Sequence, residues 1–370
     1  MPRNKTKILH IASSFASGGL ESYLLNLLRL ADFDAFEHYL FVGSDEGPLK
    51  EHYHKLPIRI VRVKCTPKRF LYALPFGAYF CRKHGIDIIH GHNYWSYLYA
   101  CSLSVLTGIP LFTSNYGLGS WKKKRHLFFE SLVFRRAAVN MAISRAILEQ
   151  EKSLVSSERI HQEKFKLIYP IINEAPLKNL GAYDRGRIRE KLGIDNDRPI
   201  LTIIGRIDRL KGHRIALDAM EQVNAGGVKA NLLIVGAMDD PLVLGETDLR
   251  RGYVKYLNYH EPIEEIWTVS DFFLIPSLSE GTPLVLVEYL ALGKPVIASD
   301  ISGNGELIRD GWNGYLFKTG DAVDLARRIE STLESGSLPA IQANAREFYA
   351  QNFSPAKLVR EIERYYRDCA

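Results

Sequence analysis

The chain lacks several signatures that would settle its chemistry at once. No G-x-G-x-x-G follows a first strand, which disfavours a dinucleotide-dependent dehydrogenase. Only four cysteines occur, Cys65, Cys81, Cys101 and Cys369, and none stands in a C-x-x-C pair. They read as free thiols, not as a zinc cage or a disulfide framework. No export signal is visible, because the basic start from Arg3 to Lys7 leads into a short apolar run broken at Ser13. The longest apolar stretch, about 97–112, falls short of the roughly 20 residues that cross a bilayer. These absences predict a cytosolic protein. No motif for nucleic acid is present.

What is present is an ordinary soluble composition, 46% apolar and 24% charged, in 370 residues. That length accommodates two domains with separate cores. The net charge of +6 is unevenly spread. Residues 1–175 hold 24 Lys+Arg against 14 Asp+Glu, and the remainder is mildly acidic. A basic first half is suited to an anionic surface or ligand.

Short apolar runs alternate with helical patterns. Strands are predicted at 7–12, 38–42, 58–63, 86–90, 111–114 and 139–143, then at 199–205, 231–235, 254–257 and 272–275. Such alternation predicts an α/β protein with parallel sheets. Ligands of these sheets bind beyond the C-terminal strand ends. The two prolines of Ile168 to Pro176 mark a linker.

The richest stretch is 276–306, PSLSEGTPLVLVEYLALGKPVIASDISGNGE. Thr282 is expected to cap a helix whose first residue is Pro283, where a missing N–H costs nothing. The helix is apolar nearly all round, yet Glu288 lies in its second turn. A buried carboxylate is costly without partners, so Glu288 is expected to line a cleft and accept ligand hydroxyls. Glu280 stands at the helix mouth, near backbone N–H groups that favour anions. Upstream, the predicted strand 199–205 runs into Arg206, and Lys211-Gly212 follows. Two cations on one strand-end loop read as a diphosphate clamp or as two surface cations, and the downstream Glu280 and Glu288 favour the clamp. Near the start, Gly18-Gly19 between strand and helix allows close backbone approach to a phosphate or sugar. His90-Gly91-His92 places alternate histidines at another strand end, with no third metal ligand evident in the sequence. Asp239-Asp240 and Asp32-Phe33-Asp34 read as solvated turns.

Two segments combine cations with aromatics. Trp121 to Phe129 (WKKKRHLFF) reads as a membrane interface or as a solvated loop before a helix. Lys68 to Lys83 reads as an acceptor groove or as core.

The 276–306 stretch resembles the donor-site signature of retaining glycosyltransferases of family 4, the group 1 enzymes of bacterial polysaccharide synthesis. Glu280 and Glu288 match its E-x7-E, Gly293 to Ser299 its following strand, and Gly303 to Glu306 its glycine-rich turn. Gly18 to Glu21, His90-Gly91-His92 and Arg206 with Lys211 match further family motifs, so the resemblance covers nearly the whole chain. It departs at Tyr116, where many members have histidine, and at Pro170 and Asn173 in the linker.

The resemblance implies the GT-B fold, two Rossmann-like doubly wound domains facing a central cleft. The implied boundaries are 1–172 for acceptor binding, 173–353 for the nucleotide-sugar donor, and 354–370 for a helix crossing back. It implies a metal-independent, retaining hexosyl transfer from a nucleotide-diphosphate sugar, with UDP favoured over GDP, to a glycan or polyprenyl-linked acceptor. No cofactor is implied beyond that co-substrate. Glu280, His92, Arg206 and Lys211 become the expected catalytic residues. Gly19, Arg206, Lys211, Tyr259 and Glu280 to Leu284 (Gly281, Thr282, Pro283) join Glu288 at the donor. Gly18, Tyr116, Lys122, Lys123, Lys124 and Arg125 fall on the acceptor side, with peripheral contact at the inner face of an anionic membrane. A nucleotide-sugar epimerase on the same fold and a non-catalytic sugar-binding module are the alternatives. Product analysis with and without acceptor separates them.

Overall fold

A computed structural model describes the chain except residues 1–4, 17, 64–69, 120–121, 156–161, 195–196 and 336–337. The expectations for Arg3, Cys65, Lys68 and Trp121 therefore fall outside the described residues. The chain divides into two compact units, residues 1–172 with 355–370, and residues 173–354.

The first unit is built on strands β1 (Thr6–Ala12), β2 (Phe36–Val42), β3 (Arg59–Arg62), β4 (Ile88–His92), β5 (Leu111–Asn115), β6 (Val139–Ala142) and β7 (Phe165–Leu167). Between them run helices α1 (Gly19–Arg29), α2 (Lys50–His54), α3 (Phe70–His84), α4 (Tyr94–Thr107), α5 (Lys124–Arg136) and α6 (Arg145–Leu154). All seven strands are parallel, in the order β3-β2-β1-β4-β5-β6-β7. Alternate residues of β1 feed two cores, Ile8 and Ala12 on one face, Leu9 and Ile11 on the other.

The second unit contains strands β8 (Ile200–Ile204), β9 (Asn231–Val235), β10 (Val254–Leu257), β11 (Phe272–Ile275), β12 (Val296–Ser299) and β13 (Tyr315–Phe317). Its helices are α7 (Ala175–Lys178), α8 (Arg185–Lys191), α9 (His213–Ala225), α10 (Glu246–Leu249), α11 (Ile263–Val269), α12 (Leu284–Leu292), α13 (Ser302–Gly305), α14 (Ala322–Glu334) and α15 (Leu338–Asn352). The parallel order is β10-β9-β8-β11-β12-β13. Helices cover both faces, so the strands are continuous apolar runs such as NLLIV and FFLI.

The last helix, α16 (Pro355–Cys369), belongs to the first unit. Leu358, Val359 and Ile362 enter that unit's core, and the Asp32 N–H donates to Glu363 at 2.7 Å. Among the described residues no helix is long and apolar enough to cross a membrane.

Strand order reverses between β1 and β4 in one sheet and between β8 and β11 in the other. These switch points open a crevice at the C-terminal strand ends, where doubly wound folds place ligands.

Candidate functional site

In the second unit the strand ends β8, β11 and β12 converge. After β8 the Asp208 carboxylate accepts from the N–H groups of Leu210, at 2.8 Å, and Lys211. That turn presents Lys211. Gly212 follows at φ +68°, where a side chain would be strained, and a Cβ there would overlap the Pro276 carbonyl oxygen. The Leu278 N–H donates to the Leu210 carbonyl at 2.7 Å. The β8 loop is thereby tied to the 276–280 turn, and Lys211 Nζ donates to Glu280 Oε1. The same oxygen accepts from Ser277 Oγ at 2.9 Å. Glu280 Oε2 has no hydrogen bond among the described residues. The β12 end closes the group from beneath. Ser299 Oγ donates to the Ser277 carbonyl at 2.5 Å, and Asn304 Nδ2 to the Ser299 carbonyl at 3.0 Å. A Cβ on Gly303 would overlap the Gly281 carbonyl oxygen, so this turn admits no side chain.

Helix α12 starts one residue later than expected. Pro283 is its N-cap, at φ −65° and ψ 127°, and no side chain caps it. Thr282 is buried, and its hydroxyl has no partner among the described residues. The expected Thr282 cap is therefore corrected: the proline fixes the entry, and the first-turn N–H groups lack a side-chain acceptor. Gly281 and Pro283 are buried with it, while Leu284 is half-buried. Glu288, one turn on, is half-buried and has neither a hydrogen bond nor an ion pair among the described residues. Burial pushes its carboxyl up to about 8, so near neutrality it is largely the acid.

Arg206 stands apart from that group. Its guanidinium pairs with Asp239 at 3.0 Å on an exposed surface, and Arg209 pairs with Asp240 at 2.9 Å. Such exposed pairs contribute about 1 kcal/mol or less, so a multivalent anion competes readily for Arg206. Tyr259, in the loop after β10, is exposed, and its hydroxyl donates to Glu261 at 3.0 Å. The structure thus joins Lys211 with Glu280, and brings neither Arg206 nor Lys211 into an ion pair with Glu288.

In the first unit α1 begins at Gly19 with Gly18 as an extended N-cap. A Cβ on Gly19 would meet nothing within 4 Å, so the start of α1 is open on that side. Strand β4 runs two residues beyond its expected end, to His92. His90 and His92 therefore lie inside the strand, on one face, fully buried. His10 on β1 and His38 on β2 share that face. A hydrogen-bonded row results. Tyr116 Oη meets His92 Nδ1 at 2.7 Å, His92 Nε2 meets His10 Nδ1 at 2.9 Å, and His10 Nε2 meets His38 Nδ1 at 3.0 Å. His90 is held separately, by Tyr366 of α16 at 2.6 Å and Ser114 at 2.8 Å. Burial, reinforced by neighbouring imidazoles, holds His10, His90 and His92 well below the ordinary histidine range. Burial lowers His38 to about 4. Donor atoms of His10, His90 and His92 lie within 4.8 Å of one another, the set a zinc ion would take. Each ring nitrogen of those three already has a protein hydrogen-bond partner. With His92 enclosed, its reach towards a ligand passes through half-buried Tyr116.

Of the expected acceptor-side cations, Lys123, Lys124 and Arg125 are exposed. Lys122 is not, so the four cations do not form one exposed row. Its ammonium is buried against the equally buried Glu130 at 2.5 Å, eight residues along in α5. Glu130 also accepts from the Tyr97 hydroxyl.

Comparison with known proteins agrees with this architecture. Residues 17–175 match Glycosyltransferase Family 4, and residues 184–348 match Glycosyl transferases group 1. A D-inositol 3-phosphate glycosyltransferase of Rhodococcus erythropolis is 30% identical over 53% of this chain and 48% of its own length. The chain thus spans about half of that relative. A UDP-Gal:alpha-D-GlcNAc-diphosphoundecaprenol alpha-1,3-galactosyltransferase of Escherichia coli is 24% identical over 99% of this chain and 97% of its own. Among solved structures, Anabaena Alr3699/HepE in complex with UDP and glucose superposes with a TM-score of 0.83 at 22% identity, covering 97% of this chain and 98% of that one. The fold is GT-B.

Proposed function

The chain belongs to the group 1, family 4 glycosyltransferases, and from that premise we propose a retaining, metal-independent hexosyl transfer from a UDP-sugar to a polyprenyl-linked glycan of a surface polysaccharide. The observation that carries this reading is the Lys211–Glu280 pair at the β8/β11 switch point, close in sequence to a carboxyl on α12 that has no hydrogen-bond or ion-pair partner among the described residues. Lys211, with Arg206, neutralises the diphosphate. Glu280 is held through Oε1, which leaves Oε2 for hydroxyls of the donor sugar. Glu288 accepts the ribose hydroxyls. Gly281 to Leu284 place backbone N–H groups beside the phosphates. Charge arranged in advance where negative charge develops is usually the largest catalytic term.

In this reaction the bond between the anomeric carbon and the diphosphate oxygen breaks. The acceptor oxygen bonds that carbon on the same face, and its proton passes to the departing phosphate. No covalent enzyme intermediate is required. Gly19, Tyr116 and, through Tyr116, His92 serve the acceptor side. A polyprenyl-linked acceptor resides in a membrane, so peripheral contact with anionic lipid is part of the reading. The relatives support the acceptor class: the Escherichia coli enzyme is named for a diphosphoundecaprenol acceptor and a UDP-Gal donor.

Incubation with a panel of UDP- and GDP-sugars, reading released nucleoside diphosphate and the anomer formed, tests the proposal. UDP release that requires acceptor, with an α-linked product from an α-linked donor, is expected. Release without any new glycosidic bond overturns it. UDP alone should raise the melting temperature, since a ligand at 100 times its Kd stabilises by about 2.7 kcal/mol. No shift at millimolar UDP speaks against a donor site.

A pH dependence follows from Glu288. Ribose hydroxyls donate to the ionised carboxylate, whereas the free carboxyl titrates near about 8. UDP binding therefore releases a proton below that pH, and affinity rises by up to about tenfold per unit from pH 6 towards 8. Glu288→Gln should flatten the profile. Calorimetric titrations in buffers of different ionisation heat read the proton directly.

A further inference from the structure

Fifteen large apolar side chains are exposed among the described residues, and nine of them lie on α3, α4 and α5. These helices are neighbours: α4 packs between α3 and α5, and all three contribute to the core on one side of the β1–β5 sheet. On α3, Tyr72, Phe76, Tyr79 and Lys83 are exposed and spaced as i, i+4, i+7 and i+11. One helical face carries them all. On α5, Arg125, Phe128, Phe129, Leu132 and Arg136 repeat the arrangement. On α4 the outward row is Trp95, half-buried Leu98 and Ser102, then Val105 and Leu106. Tyr72 is 85% exposed and Val105 65%, values unusual for side chains of this size on a free surface.

The charges on the same surface have one sign. Arg82, Lys83, Lys123, Lys124, Arg125, Arg135 and Arg136 are exposed. The three helices contain a single carboxylate, Glu130, and Lys122 and Tyr97 enclose it. Aromatic and aliphatic rows bordered by Lys and Arg, with no opposing acid, suit lipid head groups and acyl chains together. A protein partner of ordinary polarity would not require this one-signed border. The N-terminal end of α4 follows directly on β4, so the surface reaches the ligand edge of the sheet there.

We propose that the outer face of α3, α4 and α5 docks on an anionic bilayer, lying in the interface without crossing it. The inference rests on the proposed lipid-linked acceptor only for its purpose. The docking itself is a property of this surface.

The full-length protein is sedimented with vesicles of phosphatidylcholine alone and with added phosphatidylglycerol, at low and high salt. Affinity for the anionic vesicles at least about tenfold above the neutral ones is expected, since each cation near the surface contributes about 1 kcal/mol, and salt should erode it. Two variants divide the contributions. Arg82→Gln/Lys83→Gln/Arg135→Gln/Arg136→Gln should lose the preference for anionic lipid. Tyr72→Ser/Tyr79→Ser/Phe129→Ser/Leu132→Ser should lose binding at all salt concentrations. The latter should also lose transfer to a vesicle-embedded acceptor while keeping transfer to a water-soluble analogue. Circular dichroism checks that both variants fold. Wild-type binding equal to that of both variants overturns the proposal. A wild-type dimer in vesicle-free solution that the apolar variant abolishes overturns it too, and assigns the face to a second copy. UDP binding measured on the same samples keeps the two readings separate: its absence would contradict the donor site and leave the vesicle result standing.

Discussion

Lys211→Ala is expected to lower kcat/KM for sugar transfer by about 10²–10³-fold, or about 2.7–4 kcal/mol of transition-state stabilisation, the usual cost of removing one preorganised donor to developing negative charge. Two physical effects combine. The leaving diphosphate loses a cation, and Glu280, which is 14% exposed at its side chain, loses the charged one of the two donors to its Oε1. The second effect is separable. Glu280→Gln keeps the hydrogen bond from Ser277 to an acceptor oxygen and needs no counter-charge. If Lys211 acts through Glu280, the double variant should be little worse than the worse single one. If each touches the donor independently, the losses should add. Arg206→Ala is expected to cost less, since Arg206 is more exposed and is drawn towards Asp239 at rest. Steady-state rates with the panel's active donor, together with the melting temperature of each variant, supply the check. A Lys211→Ala enzyme with wild-type kcat/KM would remove the assignment.

The second large effect is acid lability of the first unit. His10, His38, His90 and His92 are buried and neutral, with folded-state pKa values lowered by burial and, for His38, to about 4. Unfolded, each titrates near about 6.5. Between these values the unfolded chain binds more protons than the folded one, so stability is full above about pH 6.5 and falls as the pH drops towards 4. Each histidine removes about 1.4 kcal/mol per pH unit in that window. Burial raises Glu151 and Glu363, which take up protons in the fold and work in the opposite direction. The four histidines outnumber these two carboxyls, so the net effect is a loss as the pH falls, set against a total stability of about 5–15 kcal/mol for a domain. Near-UV circular dichroism from pH 7.5 to 5 should show a steep loss of melting temperature. His38→Gln, at the end of the row, should make it shallower. A flat profile would contradict buried neutral imidazoles.

Much of the architecture was legible because parallel strands buried on both faces are bare apolar runs. Asn231–Val235, Val254–Leu257 and Phe272–Ile275 fall where the sequence predicts them, each bounded by polar or turn residues. Strand β4 departs from its expected bounds for the converse reason. His-Gly-His looks like a polar strand end, but inside the core His92 is satisfied by His10 and Tyr116, and His90 by Tyr366 and Ser114, which removes the cost of burying them. The row itself was hidden until the strand order set β2, β1 and β4 side by side with their even-numbered residues on one face. Lys122 reads as one of four cations in a row, and nothing local shows that Glu130 would be turned back onto it. Lys211 and Glu280 are 69 residues apart, and only the adjacency of β8 and β11 makes them partners. The contributions of Ser277, Asp208 and Asp239 depend on turn geometry that spacing alone does not reveal.

In the proposed donor site the carboxyl of α12 meets a ribose. Titration of UDP and 2′,3′-dideoxy-UDP into the wild type and into Glu288→Gln, four affinities in all, isolates that contact. Removal of the ribose hydroxyls should weaken binding to the wild type at least about tenfold, roughly the 1.5–3 kcal/mol of a charged hydrogen bond, and should change binding to Glu288→Gln much less. Equal losses in both proteins would show that Glu288 does not hold the nucleotide sugar's ribose.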